Sequence, residues 1–128
     1  MTMNVLFMCP HSAGKSLAAA TYFRAAAARA GLDVSIAVAG PEPDEINMPS
    51  VTEALSAQGY TIGWNPRLVS PDDTAAADMM ISIGCDHSTI PTEVDIVEWD
   101  VPLISQDLAG SLQAIHDRAE ALVSQLTE

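Results

Sequence analysis

The chain has 128 residues, 48% of them hydrophobic, which is enough for one domain spanning 1–128 with a proper core and too little for two. Seventeen acidic against five basic side chains give a formal charge of −12, which repels nucleic acid and anionic membrane, and no apolar run approaches the roughly 20 residues of a membrane span. The N-terminus lacks the pattern of a signal peptide, so a cytoplasmic protein is expected.

In chain order, Val5, Leu6, Phe7 and Met8 read as a buried strand that stops at Cys9. A loop of small residues follows, and Ser16 opens an alanine-rich helix. Unpaired N–H groups and the positive end of the dipole at a helix start favour negative charge, so Pro10, His11, Ser12, Ala13, Gly14 and Lys15 form an expected oxyanion loop. Gly14 lets the backbone fold closely around a ligand, and Lys15, the only lysine in the chain, adds a cation. Cys9 faces the same field, the setting of a nucleophilic thiolate, although a cysteine ending an apolar strand also serves as a small buried hydrophobe. Gly14-Lys15-Ser16 hints at a nucleotide-binding P-loop, but the glycine that motif requires five positions earlier is Cys9, so a nucleotide is excluded.

The helix runs from about Ser16 to Ala30 with Leu17, Ala20, Phe23 and Ala27 on one face, and Gly31 ends it. Val34–Ala39 is a second strand, reached by a right-handed parallel crossover. After the Gly40-Pro41-Glu42-Pro43 loop, a turn leads into a helix ending at Gly59, with Asn47 or Asp44 as its cap and Pro49 in its first turn. Asp44 and Glu45 read as helix-start charges rather than catalytic groups. Tyr60–Ser70 is irregular, and Pro71 starts a short helix through Ala77. Met79–Gly84 is a third buried strand with Cys85 just past its end. Open α/β sheets bind ligands beyond the carboxyl ends of their strands where the order reverses, which puts Cys9 and Cys85 at one edge. Two cysteines make neither a disulfide scaffold nor a zinc cluster by spacing, and no metal site is expected. Ile96–Trp99 is the fourth strand. Ala109–Leu126 is an amphipathic helix with Leu112, Ile115, Ala119, Leu122 and Leu126 on one face and His116 at its surface or in its packing.

The segment C-P-H-S-A-G-K-S after V-L-F-M resembles the C-x5-R-S signature of the low-molecular-weight protein tyrosine phosphatase family. It is most similar to the arsenate reductase branch, where Cys-x-His-Asn-Ala-Gly-Arg-Ser is usual. His11, Ala13, Gly14 and Ser16 fit; Ser12 stands in place of Asn and Lys15 in place of the signature Arg. Ala39-Gly40 followed by D-E-I-N, and later I-S-I-G-C, continue the likeness. It implies a three-layer αβα sandwich with a four-stranded parallel sheet in the order 2-1-3-4.

The same resemblance implies that Cys9 attacks a bound oxyanion, with Lys15 and Ser16 in the signature's last positions, and that Cys85 then attacks Cys9 once arsenate is reduced. A third cysteine for a three-cysteine relay is absent from D-H-S-T-I-P-T-E, which leaves a two-cysteine relay or an external reductant, a small thiol or a thioredoxin-type protein. Arg67 falls near the family's site rim, as a second cation or as a surface arginine stacked on Trp64. W-D-V-P-L resembles W-x-x-P-D-P, whose Asp is the general acid, and that position is Leu103. Losing a general acid costs about 10²–10⁴-fold, and Asp107, ahead of Asp100, is the carboxylate a shifted loop would recruit. The candidate catalytic residues are therefore Cys9, Lys15, Ser16, Cys85 and Asp107. Three functions remain open: arsenate reduction, phosphate monoester hydrolysis through a phosphocysteine, and binding of phosphate, a related oxyanion or a phosphorylated partner without catalysis. No cofactor beyond an external reductant is expected.

Overall fold

The structure is a computed structural model that describes residues 2–84 and 94–127. Its first strand, β1 (Met3–Met8), lies inside a four-stranded parallel sheet. β2 (Val34–Ala39) pairs on one side of it, while β3 (Met79–Ser82) and then β4 (Ile96–Glu98) lie on the other, giving the order β2-β1-β3-β4. A strand in this position is covered on both faces, and Val5, Leu6, Phe7 and Met8 are accordingly all buried without polar alternation.

The residues of β1 alternate between two cores. Val5 and Phe7 pack with α1 (Lys15–Ala30), α2 (Pro49–Ala57) and α4 (Leu108–Leu126), where Phe23 and Trp99 stand 5.5 and 5.8 Å from the Phe7 ring. Leu6 and Met8 pack on the opposite face with Ala39, Ala77 and Met80, beside the short α3 (Pro71–Ala76). The alanines of α1 let it lie close on both the sheet and α4, and its predicted face of Leu17, Ala20, Phe23 and Ala27 is buried. Gly31 ends that helix in the left-handed conformation, at φ 69°. No helix of the described residues is long and apolar enough to cross a membrane.

The expected strand order and layering are observed, with several shifted ends. The cap of α2 is Met48, not Asn47 or Asp44: the Asn47 amide nitrogen instead donates to the Trp64 carbonyl at 2.7 Å, and the Asp44 N–H is bonded to the His11 carbonyl. β3 ends at Ser82, before Gly84 turns the chain at φ 74°. α4 starts at Leu108 because Asp107 caps it.

Candidate active site

Cys9 follows β1 directly, where one neighbouring strand leads left and the other right, so the loop after it opens at the point where strand order reverses. The loop is shaped by its carbonyls. Those of Pro10, His11 and Ala13 accept from the amides of Glu42, Asp44 and Met48 at 3.0, 2.9 and 2.9 Å, which pins them to the 42–48 segment. The amides of His11, Ala13, Gly14, Lys15 and Ser16 have no acceptor among the described residues, as is usual for the first turn of a helix without a side-chain cap. Only the Ser12 amide turns back, to the Cys9 carbonyl at 3.3 Å.

Ser12 makes the bend. It is fully buried at φ 55°, a conformation rare for residues other than Gly, Asn and Asp, and its hydroxyl accepts from the Arg67 amide at 3.3 Å. Arg67 in turn accepts the Gly40 amide on its carbonyl at 3.0 Å. Gly40 passes so close beneath the loop that a Cβ there would overlap the Cys9 carbonyl oxygen and stand 3.0 Å from the Pro10 carbonyl oxygen and the Ser12 nitrogen.

A pocket of about 360 Å³ opens over this loop. Cys9, Pro10, His11, Ala13, Gly14 and Lys15 form one wall, with Met48, Gly84, Leu103, Ile104 and Ser105 opposite. The Cys9 sulfur lies 3.0 Å from the Ser16 hydroxyl, close enough for the hydroxyl to donate to a thiolate. The Lys15 ammonium rests against Gly84, 2.6 Å from where a Cβ on that residue would stand, and the positive φ of 74° there itself favours glycine. The Gly84 amide is held by the Glu98 carboxylate at 3.0 Å. Sequence reasoning missed Met48, Ile104, Gly84 and Glu98; the glycine of I-S-I-G-C was the one available signal.

The other expected site residues fall elsewhere. Ser12 lies behind the loop rather than on the pocket wall. Asp107 is occupied at the start of α4, where its carboxylate accepts the Gly110 amide at 2.9 Å, and neither it nor Asp100 lines the pocket; among the described residues no carboxylate does. Leu103 does line it, half exposed. Cys85, and hence its relation to Cys9, lies outside the described residues. The expected stacking of Arg67 on Trp64 is overturned: Arg24 lies over that ring at 4.7 Å, because α1 carries it there. Arg67 forms a two-pronged pair with Asp73 at 2.8 and 2.6 Å, which raises the guanidinium's pKa and holds the Asp73 carboxyl below its ordinary range. His11 is exposed, its Nδ1 2.9 Å from the Glu42 carbonyl oxygen and 3.6 Å from the Asp44 carboxylate. His116 packs edge-on against Tyr22 at 5.1 Å.

The family model for low molecular weight phosphotyrosine protein phosphatase matches residues 4–100. No curated protein matches the chain. Among solved structures the chain is similar to a thioredoxin-dependent arsenate reductase of Corynebacterium glutamicum, at 26% identity and TM-score 0.74, covering 98% of this chain and 60% of that one. This chain therefore spans 60% of the Corynebacterium protein's length. It is also similar to an arsenate reductase of Archaeoglobus fulgidus, at 25% identity and TM-score 0.68, covering 96% and 98% of the two chains. A low molecular weight phosphotyrosine phosphatase of Vibrio cholerae shares the fold at 18% identity and TM-score 0.85, covering 98% and 97%.

Proposed function

Because the chain belongs to the low molecular weight phosphotyrosine protein phosphatase family, we propose that it uses Cys9 as a nucleophile on a bound oxyanion, and that the reaction is arsenate reduction. The observation that carries the reading is Cys9 in the pocket lining, its sulfur 3.0 Å from the Ser16 hydroxyl, followed by a loop with five amides without acceptors among the described residues.

In this reading the loop amides and the Lys15 ammonium hold the arsenate oxygens. The Cys9 thiolate forms an S–As bond as one oxygen leaves as water, its remaining proton drawn from solvent. A second thiol then attacks the Cys9 sulfur. The S–As electron pair passes to arsenic, taking As(V) to As(III), and arsenite leaves as a disulfide forms on Cys9. Two thiols thus supply the two electrons; the second is Cys85 or an external small thiol or thioredoxin-type protein, and a further external thiol then reduces the disulfide and frees Cys9. Ser16 steadies the sulfur as thiolate and as leaving group.

Leu103 favours reduction over ester hydrolysis. An ester's leaving alkoxide needs a proton that a leucine in the general-acid position cannot give, whereas the arsenate oxygen departs already as a hydroxyl and takes its remaining proton from solvent. The test is arsenite formation with small dithiols and with thioredoxin as reductants, in wild type, Cys9→Ser and Cys85→Ser. Turnover abolished by Cys9→Ser supports the proposal. Absence of arsenite with every thiol ends it, and aryl phosphate hydrolysis in its place returns the chain to the phosphatases.

A further inference from the structure

The pocket wall that faces the loop is mostly carbon. Ile104 and Met48 close over the start of α1: a Cβ on Gly14 would stand 3.1 Å from the Ile104 Cδ1 and 3.5 Å from the Met48 Cε. Leu103 continues this surface and leaves 49% of its area open. The volume of about 360 Å³ lies in the range where proteins bury organic small molecules, roughly 300–1,000 Å³, and exceeds what an inorganic tetrahedral ion fills. A bare, fully hydrated anion gains nothing from three apolar side chains at its entrance, and covering it with them removes water it would otherwise keep. An anion that carries its own apolar group gains from all three.

We propose, building on the Cys9 reading above, that the preferred substrate is an organic arsonate, R–AsO₃, with an apolar R. Two oxygens sit on the loop amides and Lys15, the third stands opposite the Cys9 sulfur, where it leaves as water, and R lies beside it against Met48, Leu103 and Ile104. The step balances as for arsenate. Cys9 forms the S–As bond while one oxygen leaves as water, and the As–C bond stays intact. A thiol then attacks the Cys9 sulfur, and the released electron pair gives R–As(III) and a disulfide. No alkoxide leaves at any point, which suits a pocket where a leucine replaces the family's acid.

Alkylation of Cys9 in a Cys85→Ser background separates binding from turnover, with inorganic phosphate, methylphosphonate and phenylphosphonate as protecting probes. Half-protection by phenylphosphonate is expected at about tenfold lower concentration than by phosphate, with methylphosphonate between them. In Leu103→Ser the phenylphosphonate-to-phosphate ratio falls toward one. Phenylarsonate should then be reduced by wild-type protein and thiol with a higher kcat/KM than arsenate. Protection by phosphate with no gain from the phenyl group overturns this inference while leaving the oxyanion reading standing, and so does a gain unaltered in Leu103→Ser. Hydrolysis of phenyl phosphate without reduction of phenylarsonate overturns it in favour of an ester. Protection by none of the three ends both.

Discussion

Replacing Gly40 with alanine tests whether the loop around Cys9 is held by its backbone. The added methyl would overlap the Cys9 carbonyl oxygen, and the Pro10 oxygen and Ser12 nitrogen, at 3.0 Å, would each have to give by a few tenths of an ångström. None of these atoms is the end of a flexible side chain. Ser12 is fixed at φ 55° and bonded to Arg67, and the Pro10 carbonyl is pinned to Glu42. Overpacking against backbone costs about 1–3 kcal/mol, or about 3–12 °C in midpoint for a chain of this size. A displacement approaching 1 Å at a reacting group costs about 10²-fold in rate, so loss of activity should exceed what the loss of stability accounts for. Urea denaturation gives the first quantity, and protection of Cys9 from alkylation by phosphate gives the state of the loop. Gly59→Ala is the control. It also has positive φ, at 93°, but its Cβ would meet nothing, so it should lose about 1 kcal/mol and keep full protection. If Gly40→Ala is as stable and as well protected as wild type, the close passage beneath the loop is wrong.

Ser16→Ala removes the hydroxyl 3.0 Å from the Cys9 sulfur and should slow turnover about 10–100-fold, with kcat affected more than KM; an effect confined to KM would mean that Ser16 holds substrate instead. Asp73→Asn should cost about 1 kcal/mol at neutral pH, because the carboxylate pairs with Arg67 and accepts from the Ser70 amide. Arg67 above all holds its pKa below the ordinary value, so this stabilisation is complete above the unfolded pKa of about 3.9 and is lost as pH falls through the folded value. The gap between the urea midpoints of wild type and Asp73→Asn should close in acid, and a gap that widens there refutes the assignment.

The frame was legible because local and global signals agree. The apolar run Val5–Met8 of β1 reads as a strand covered on both faces, and alanine-rich α1 between two strands as a close-packed crossover. Gly31 and Pro49 punctuate helices where they stand, and the small-residue loop lies between strand and helix as its composition indicates. Pairings decided by the approach of distant elements were not legible. Trp64 takes Arg24 from α1, forty residues earlier in a helix whose exposed face carries no mark of it, while the nearer Arg67 goes to Asp73. Asn47 looks like a cap, but its amide nitrogen is held by the Trp64 carbonyl across the chain, and its side-chain oxygen reaches no amide of α2. Asp107, which looked free to serve as an acid, is engaged by the start of α4.

These placements separate the shape of the site from its chemistry. Three carbonyl contacts to the 42–48 segment, the Ser12 hydroxyl on the Arg67 amide and the passage of Gly40 fix the loop, and nearly all of these are main-chain interactions. None of them involves the side chain of residue 15 or of residue 103. Lysine for arginine therefore leaves the amide cradle in place while exchanging a planar fork for a point charge that lies over Gly84. Leu103 likewise leaves the 101–107 loop free to cap α4 through Asp107 and presents an apolar wall to the pocket. In the reaction proposed above, the oxyanion is seated by main-chain groups beside Cys9, in a pocket whose described residues carry no carboxylate. That is why reduction of an arsenic oxyanion is proposed rather than hydrolysis of an ester.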